Sequence, residues 1–149
     1  MLTCTKRYTD FPFAHRAPNH EGHCRLIHGH NWTFDITFSA SETDANGFVM
    51  DFGKLRPLKE KLDGLFDHTL VLNSTDPMLQ DFKEFVELLG IENIVEVPDC
   101  SCEGIAKLVY QIATAVTVKI SEKRVRVRHV VVYEDSKNSA CYAPVVPVT

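Results

Sequence analysis

The 149-residue chain lacks the features that mark several large classes of protein. No apolar stretch approaches the roughly 20 residues that a membrane-spanning helix needs, and the N-terminus has no apolar secretory leader. We therefore expect neither a membrane partner nor secretion. The formal net charge is −4, so the chain has no excess of positive charge that would attract nucleic acid.

The chain also lacks any Cys-x-x-Cys pair, the spacing that is typical of a structural zinc site. Its five cysteines are an odd number, which does not suit a secreted disulfide framework. Free thiols in a reducing cytoplasm are the simpler expectation. Cys100 and Cys102 are too close in sequence to bridge comfortably, and we interpret them as small residues that lead into a helix.

Linkers, repeats and low-complexity segments are missing as well, so we expect one domain over residues 1–149. Strand-like patterns cover residues 2–15, 29–41, 48–52, 124–134 and 140–148, the fourth with strict alternation. Helical spacing of apolar residues runs from about Lys54 to Leu65, from Asp76-Pro77 to Gly90, and from about Cys102 to Thr117, where Asp99 or Ser101 is the candidate N-cap. We interpret the helix that begins at Asp76 as structural.

This order of elements predicts an α+β fold, a four-stranded antiparallel sheet with helices packed on one face. Such a small open sheet leaves its edge strands unpaired. Because other copies of the chain can cover those edges, we expect a homo-oligomer.

Three histidines near the N-terminus are the strongest functional signal. Side chains at i and i+2 of a strand share a face, so His28 and His30 can offer two imidazoles to one ion. His15 ends the preceding strand and can bring a third nitrogen. Three neutral imidazoles with an open fourth position are typical of catalytic zinc. A His-x-His pair also occurs by chance, and packed or solvated histidines are the alternative.

Other candidate residues are weaker when each is taken alone. Cys24 lies four residues before His28, which suits a reactive thiol beside a metal. In the Asp67-His68 pair the carboxylate can orient the imidazole, provided that the fold turns the two side chains together. Glu134 ends an apolar strand, either as a solvated end or as a binding residue. Glu103 lies in the first turn of a helix, where the helix dipole favours a carboxylate in any case.

Taken together, the motifs resemble those of the 6-pyruvoyltetrahydropterin synthase superfamily. They occur in the family's order, as Phe13-Ala-His15, Cys24-x-x-x-His28-Gly-His30-Asn, Gly47-x-Val-Met-Asp51-Phe, Asp67-His68 and Tyr133-Glu134. The match is good over residues 5–73 and looser over 99–135. The short gap between Cys24 and His28 is similar to the bacterial branch, the 6-carboxy-5,6,7,8-tetrahydropterin synthases, which make a precursor of queuosine.

The resemblance implies a tunnelling fold that assembles into trimers or dimers of trimers. It also implies Zn²⁺ held by His15, His28 and His30, and 7,8-dihydroneopterin triphosphate as the substrate. Cys24 would be the catalytic base, and His68, oriented by Asp67, would relay protons. The pterin ring would be bound by Glu134 and, from the same or a neighbouring subunit, by Glu103.

One segment departs from the family pattern. Cys100-Ser-Cys102-Glu103-Gly104 stands where the family more often has Pro-Thr-x-Glu-Asn. The resemblance also leaves alternatives open: a 6-pyruvoyltetrahydropterin synthase, a sepiapterin-cleaving relative, or a non-catalytic pterin- or metal-binding module. Candidates for binding the triphosphate are Arg16, Arg25 and the arginines of residues 124–128.

Overall fold

A computed structural model describes residues 1–91 and 93–145 as an α+β fold, a mixed six-stranded sheet with three helices. The strands are β1 (Leu2–His15), β2 (His28–Ala40), β3 (Thr69–Asn73), β4 (Ile94–Val97), β5 (Arg126–Tyr133) and β6 (Ser139–Tyr142). The helices are α1 (Arg56–Phe66), α2 (Leu79–Leu88) and α3 (Cys102–Ile120). The sheet order is β4-β3-β1-β2-β5-β6.

The predicted four-stranded antiparallel sheet is therefore wrong in two respects. Strands β3 and β4 were not predicted, and β3 pairs in parallel with both β1 and β4. They are only five and four residues long, and runs this short carry too little periodicity to be recognised as strands. They add a parallel edge to the antiparallel order β1-β2-β5-β6.

Two other predicted strands also differ. Residues 48–51 do not form a strand, with bends at Val49 and Met50, and a 3₁₀ turn at Phe52–Leu55 leads into α1. The last strand ends at Tyr142, and residues 146–148 of its predicted range lie outside the described part of the chain.

The core lies between the sheet and the helices α1 and α3. In α1, Leu58 and Leu62 are fully buried, as the helical spacing from Lys54 to Leu65 predicts, and Phe66, one residue beyond that range, is fully buried as well. In α3, the buried stripe includes Ile105 and Val109. These side chains pack against the large aromatic residues of β1 and β2, namely Phe11, Phe13, Trp32, Phe34 and Phe38.

Helix α2 does not join this core. It begins at Leu79, after a turn at Asp76–Met78, and it ends before Gly90, whose φ is +67°. No residue of this fully described helix is buried, and Phe85 and Leu88 are exposed. The apolar side chains of α2 therefore lie outside the buried core, whose helices are α1 and α3, and the interpretation of α2 as a structural helix stays a prediction.

Bulges change which side chains face the core. In β1 the register shifts between Tyr8 and Phe11, around Asp10 with its φ of +67°. Buried positions are even-numbered before the shift and odd-numbered after it, so that His15 faces the core side. In β5, Thr37 pairs with His129 and Phe38 with Val127, which leaves Arg128 as an extra residue. The predicted strict alternation of residues 124–134 therefore fails at this point.

Two residues of the segment that departs from the family pattern, Ser101 and Gly104, have clear local roles at the start of α3. Ser101 is the N-cap of α3, and its hydroxyl accepts a hydrogen bond from the Gly104 amide at 3.0 Å. A Cβ at position 104 would lie 2.4 Å from the backbone oxygen of Asp99. Only glycine fits there without moving the loop of residues 99–101.

We expect Gly104→Ala to destabilise the protein, although replacing glycine by alanine within a helix normally stabilises the helix by up to about 1 kcal/mol. The added methyl group must push the Asp99 backbone away. Gly64→Ala in α1 is the matched control, because a Cβ there meets nothing within 4 Å, and it should raise stability by about 0.5–1 kcal/mol. Urea unfolding of both variants measures the difference, and equal gains at the two positions would contradict the steric argument.

Candidate metal centre and active site

The register of β1 and β2 places the three predicted histidines on one face of the sheet. His15 lies directly opposite His28, and His30 lies opposite Phe13. The ring centroids are 4.6 Å apart for His15 and His28, 5.5 Å for His15 and His30, and 5.1 Å for His28 and His30. One ligand atom from each ring and one carboxylate oxygen of Glu134 all lie within 4.8 Å of one another. This cluster is able to hold a metal ion.

Two rings have their orientation fixed by backbone carbonyl groups. The carbonyl oxygen of Cys100 lies 2.8 Å from His15 Nδ1, and that of Leu26 lies 2.8 Å from His28 Nδ1. A carbonyl only accepts a hydrogen bond, so each Nδ1 carries the proton and each Nε2 keeps its lone pair. Histidine ligands of metals usually have such a second partner.

Two ring nitrogens of the cluster are buried without a hydrogen-bond partner, and this observation tests whether the site fits a metal. In the described part of the chain, neither His15 Nε2 nor His30 Nε2 has a hydrogen-bond partner, and both atoms are inaccessible to solvent. A buried polar atom without a partner costs about 1–3 kcal/mol. Burial lowers the pKa of His15, although its hydrogen bond to Cys100 acts in the opposite direction. Neutral imidazoles with free lone pairs are the ligands that zinc requires.

Glu134 lies next to His15 and His30, a contact that the sequence does not indicate. Its Oε1 is 3.5 Å from His15 Nε2 and 2.8 Å from His30 Nε2, without forming a hydrogen bond to either. Two ligand atoms at tetrahedral corners of a zinc ion, each about 2.0–2.1 Å from it, are about 3.3 Å apart. The distance from Glu134 Oε1 to His30 Nε2 is shorter than this value. The carboxylate is therefore too close to His30 to be an ideal fourth tetrahedral ligand.

An aromatic layer closes the inner side of the cluster. Trp32 is fully buried, and its ring centroid is 5.0 Å from that of His15. Phe13 stacks on Trp32 with centroids 4.5 Å apart. The apolar floor excludes water and strengthens electrostatic interactions at the cluster.

A cavity of about 650 Å³ opens on the outer side of the cluster. Its lining brings together His15, His28, Cys24, Glu103 and Glu134. Cys24 is half-buried in a 3₁₀ turn, and Glu103 is exposed in the first turn of α3. His30 instead lines a second cavity, of about 450 Å³, together with Glu134. The loop histidine that reaches the main cavity is His20, and His23 is not among the described lining residues.

Asp67 and His68 are not brought to this cavity within one chain. The two side chains do turn together, because His68 Nδ1 lies 2.5 Å from Asp67 Oδ1. The His68 side chain is 83% exposed, and its φ of +57° is unusual for a residue other than glycine. Neither residue is among the described residues that line the histidine cavity, and Asp67 lines a different one, with Lys6 and Lys59.

Three of the arginines expected to bind phosphate already have partners. Arg16 forms a two-point ion pair with Asp76, with contacts of 2.7 and 2.6 Å. Arg25 donates to the carbonyl groups of Glu21 and Gly22. Arg124 donates to backbone carbonyls of the segment 42–49. These side chains stabilise loops, and no sequence pattern indicates that role.

We expect each chain to bind one zinc ion and the bound zinc to raise the melting temperature of the protein. At a free concentration 100 times the Kd, binding contributes about 2.7 kcal/mol, or a shift of about 5–10 °C for a chain of this length. His28→Ala should lose this shift because one of three ligands is gone. His23→Ala is the control and should keep it, and thermal unfolding with and without zinc measures both. Equal shifts in the two variants would contradict the assigned ligands.

No helix among residues 1–91 and 93–145 has both the length and the apolar character to cross a membrane.

Two solved structures share the fold. An uncharacterized protein of Wolinella succinogenes superposes with a TM-score of 0.79 at 21% identity, covering 96% of this chain and 99% of that one. A variant of Plasmodium vivax 6-pyruvoyltetrahydropterin synthase superposes with a TM-score of 0.70 at 18% identity, covering 98% and 100%.

Curated relatives match part of the chain. The 6-carboxy-5,6,7,8-tetrahydropterin synthase of Rickettsia typhi is 42% identical over 77 residues, which are 51% of this chain and 55% of that protein. The Bacillus subtilis protein of the same name is 39% identical over 69 residues, 46% and 44% of the two chains. The aligned part thus spans about half the length of these relatives. The profile of the family described as 6-pyruvoyl tetrahydropterin synthase matches residues 3–144. With that match over nearly its whole length, the chain belongs to the 6-pyruvoyl tetrahydropterin synthase family.

Proposed function

We propose that the protein is a zinc-dependent lyase that converts 7,8-dihydroneopterin triphosphate to 6-carboxy-5,6,7,8-tetrahydropterin, acetaldehyde and triphosphate, in the synthesis of a queuosine precursor. The proposal rests on one observation: two imidazoles of the histidine cluster, the Cys24 thiol and the carboxylates of Glu103 and Glu134 line the same cavity. The names of the curated relatives favour the carboxy product, although the alignments cover only about half of each protein.

His15, His28 and His30 would hold the zinc ion, and the buried, unpaired nitrogens of His15 and His30 support this assignment. When bound, zinc supplies a Lewis acid that lowers the pKa of the hydroxyl groups on the substrate side chain. The protein contributes the orientation of the rings and a floor, formed by Trp32, that excludes water.

Cys24 would be the base that removes a proton from the pterin side chain. Its turn is held against the end of β1 by a hydrogen bond of 2.8 Å from the Ala17 amide to the Cys24 carbonyl. Cys102 lines the same cavity, but burial, together with the nearby charges of Glu134 and Glu103, raises its pKa to about 11. Cys102 therefore remains a protonated thiol, which donates to the Val132 carbonyl at 3.6 Å. All five cysteines are unbridged, in keeping with our proposal of a cytoplasmic enzyme.

Glu134 and Glu103 would bind the pterin ring. The amino-pyrimidine edge of a pterin offers two N–H donors side by side, and one carboxylate can accept both. Glu134 lies deep in the cavity beside the histidines, whereas Glu103 lies exposed on α3 at its rim. The two carboxylates thus mark an inner and an outer end of the binding site.

Purified, zinc-loaded protein incubated with dihydroneopterin triphosphate should release acetaldehyde and a product with the mass of 6-carboxytetrahydropterin. Cys24→Ala should lower kcat by about 10²–10⁴-fold, the usual contribution of a general base, and it should keep its zinc. Cys141→Ala is the control, because Cys141 is exposed on β6.

The products of that assay separate the candidate functions. A 6-pyruvoyl product, or turnover of sepiapterin alone, would assign the protein to another activity of the family. Zinc and pterin binding without any turnover would identify a non-catalytic module. Normal turnover by Cys24→Ala would contradict the role of the thiol as base.

The Asp67–His68 pair would act in the cavity of a neighbouring subunit. Within one chain both side chains are exposed, neither lines the histidine cavity, and Asp67 lines a different one. The strained backbone of His68 is a feature that often accompanies function. A homo-oligomer, a trimer or a dimer of trimers, would bring the pair of one copy to the metal cavity of the next, and His68 would then relay protons opposite Cys24.

Mixed assemblies test this arrangement directly. Cys24→Ala and His68→Ala are each expected to be inactive, but co-assembled subunits should form some sites with both groups intact. Random mixing in a ring with head-to-tail interfaces predicts about a quarter of wild-type activity. If the co-assembled protein stays as inactive as its parents, the pair does not act across subunits.

A further inference from the structure

Cys100 connects the metal cluster to the neighbouring strand β3. It is 1% exposed, and three of its polar groups have partners. Its carbonyl accepts from His15 Nδ1 at 2.8 Å, and its thiol donates to the Arg16 carbonyl at 3.3 Å. Its amide donates to Oδ1 of Asn73 at 2.6 Å. The position of the carbonyl that holds His15 therefore depends on Asn73.

Asn73 is well placed for this role. It is the last residue of β3, a strand that runs parallel to β1 and carries Val71 and Leu72 into the core. Its side chain is half-buried and lines the same cavity as His15. Cys100, in contrast, belongs to a loop between β4 and α3, outside any regular element. The carboxamide thus ties this loop to the sheet.

We infer that Asn73 is a positioning residue for the metal site, which fixes the tautomer and orientation of the His15 imidazole through the backbone of Cys100. The inference rests on the proposed function, because it assigns a purpose to a contact behind a proposed zinc ligand. Without the Asn73 acceptor, the buried Cys100 amide loses its partner, and the loop must move to find another. The carbonyl of Cys100 then moves with it.

Zinc affinity is the direct test. Residues that hydrogen-bond to metal ligands typically contribute 10–100-fold to metal affinity. Asn73→Ala should therefore raise the Kd for zinc by about 10-fold or more. Asn73→Asp keeps an acceptor oxygen at the same place and should bind zinc nearly as wild type does. Competition with a chelator measures all three proteins.

A control separates positioning from general loss of stability. Ser121→Ala, at the other end of α3, removes a side chain that accepts from the Val125 amide at 3.2 Å and donates to the Thr117 carbonyl at 2.7 Å. This variant should lower the urea midpoint and leave the zinc Kd unchanged. A wild-type Kd in Asn73→Ala, or an equal loss of affinity in Ser121→Ala, would overturn the inference.

The ring tautomer provides a readout that does not require metal. Long-range ¹H–¹⁵N spectra of the metal-free protein should show His15 protonated at Nδ1 in wild type and Asn73→Asp, and a mixture of tautomers in Asn73→Ala. If wild type binds no zinc, the proposed function fails, and these spectra still decide the role of Asn73. If Asn73→Ala does not fold, Asn73→Ser replaces it in both measurements, with the same expected loss.

Discussion

The pairing of β1 with β2 is the constraint on which the site depends. It sets His15 opposite His28 and leaves His30 one step further along the same face. A slip of one residue would turn His15 to the other face of the sheet, because side chains alternate along a strand. The bulge around Asp10 has that effect within β1, since it moves the buried positions from even to odd numbers. The site is therefore built by backbone register before any metal binds.

Register alone would leave an unfavourable arrangement of buried imidazoles. Two ring nitrogens lie in the interior without partners, above the fully buried Trp32. The packing of β1 and β2 against α1 and α3 holds them there, and a bound cation would offset the cost. Metal binding would therefore stabilise the fold. The carbonyls of Cys100 and Leu26 determine which nitrogen is free in the rings of His15 and His28.

Local patterns predict some of this from sequence, and tertiary contacts account for the rest. The long alternating strands β1 and β2, the buried stripes of α1 and α3, and the stop of α2 near Gly90 follow from periodicity and from helix-end signals. The short strands β3 and β4 do not, since runs of four or five residues lack a readable period. The exposure of α2 was also unpredictable, because it depends on which elements already cover the sheet.

The same division holds for the site. The spacing of His28 and His30, with His15 ahead of them, indicates the cluster, and the structure brings all three together. The contact of Glu134 with His30 depends on the bulge at Arg128, which no alternating pattern indicates. The support of His15 by Cys100 runs through backbone atoms, whose partners a sequence does not specify. The separation of Asp67–His68 from the cavity appears only in three dimensions.

We propose that three imidazoles hold one zinc ion and leave a coordination position for a hydroxylated substrate. X-ray absorption at the zinc edge of the purified protein tests it most directly. We expect about three imidazole nitrogens at about 2.0–2.1 Å, with one further light atom that is replaced when a pterin with a side-chain diol is added. A sulfur neighbour at about 2.3 Å, or a first shell that does not change with the ligand, would contradict it.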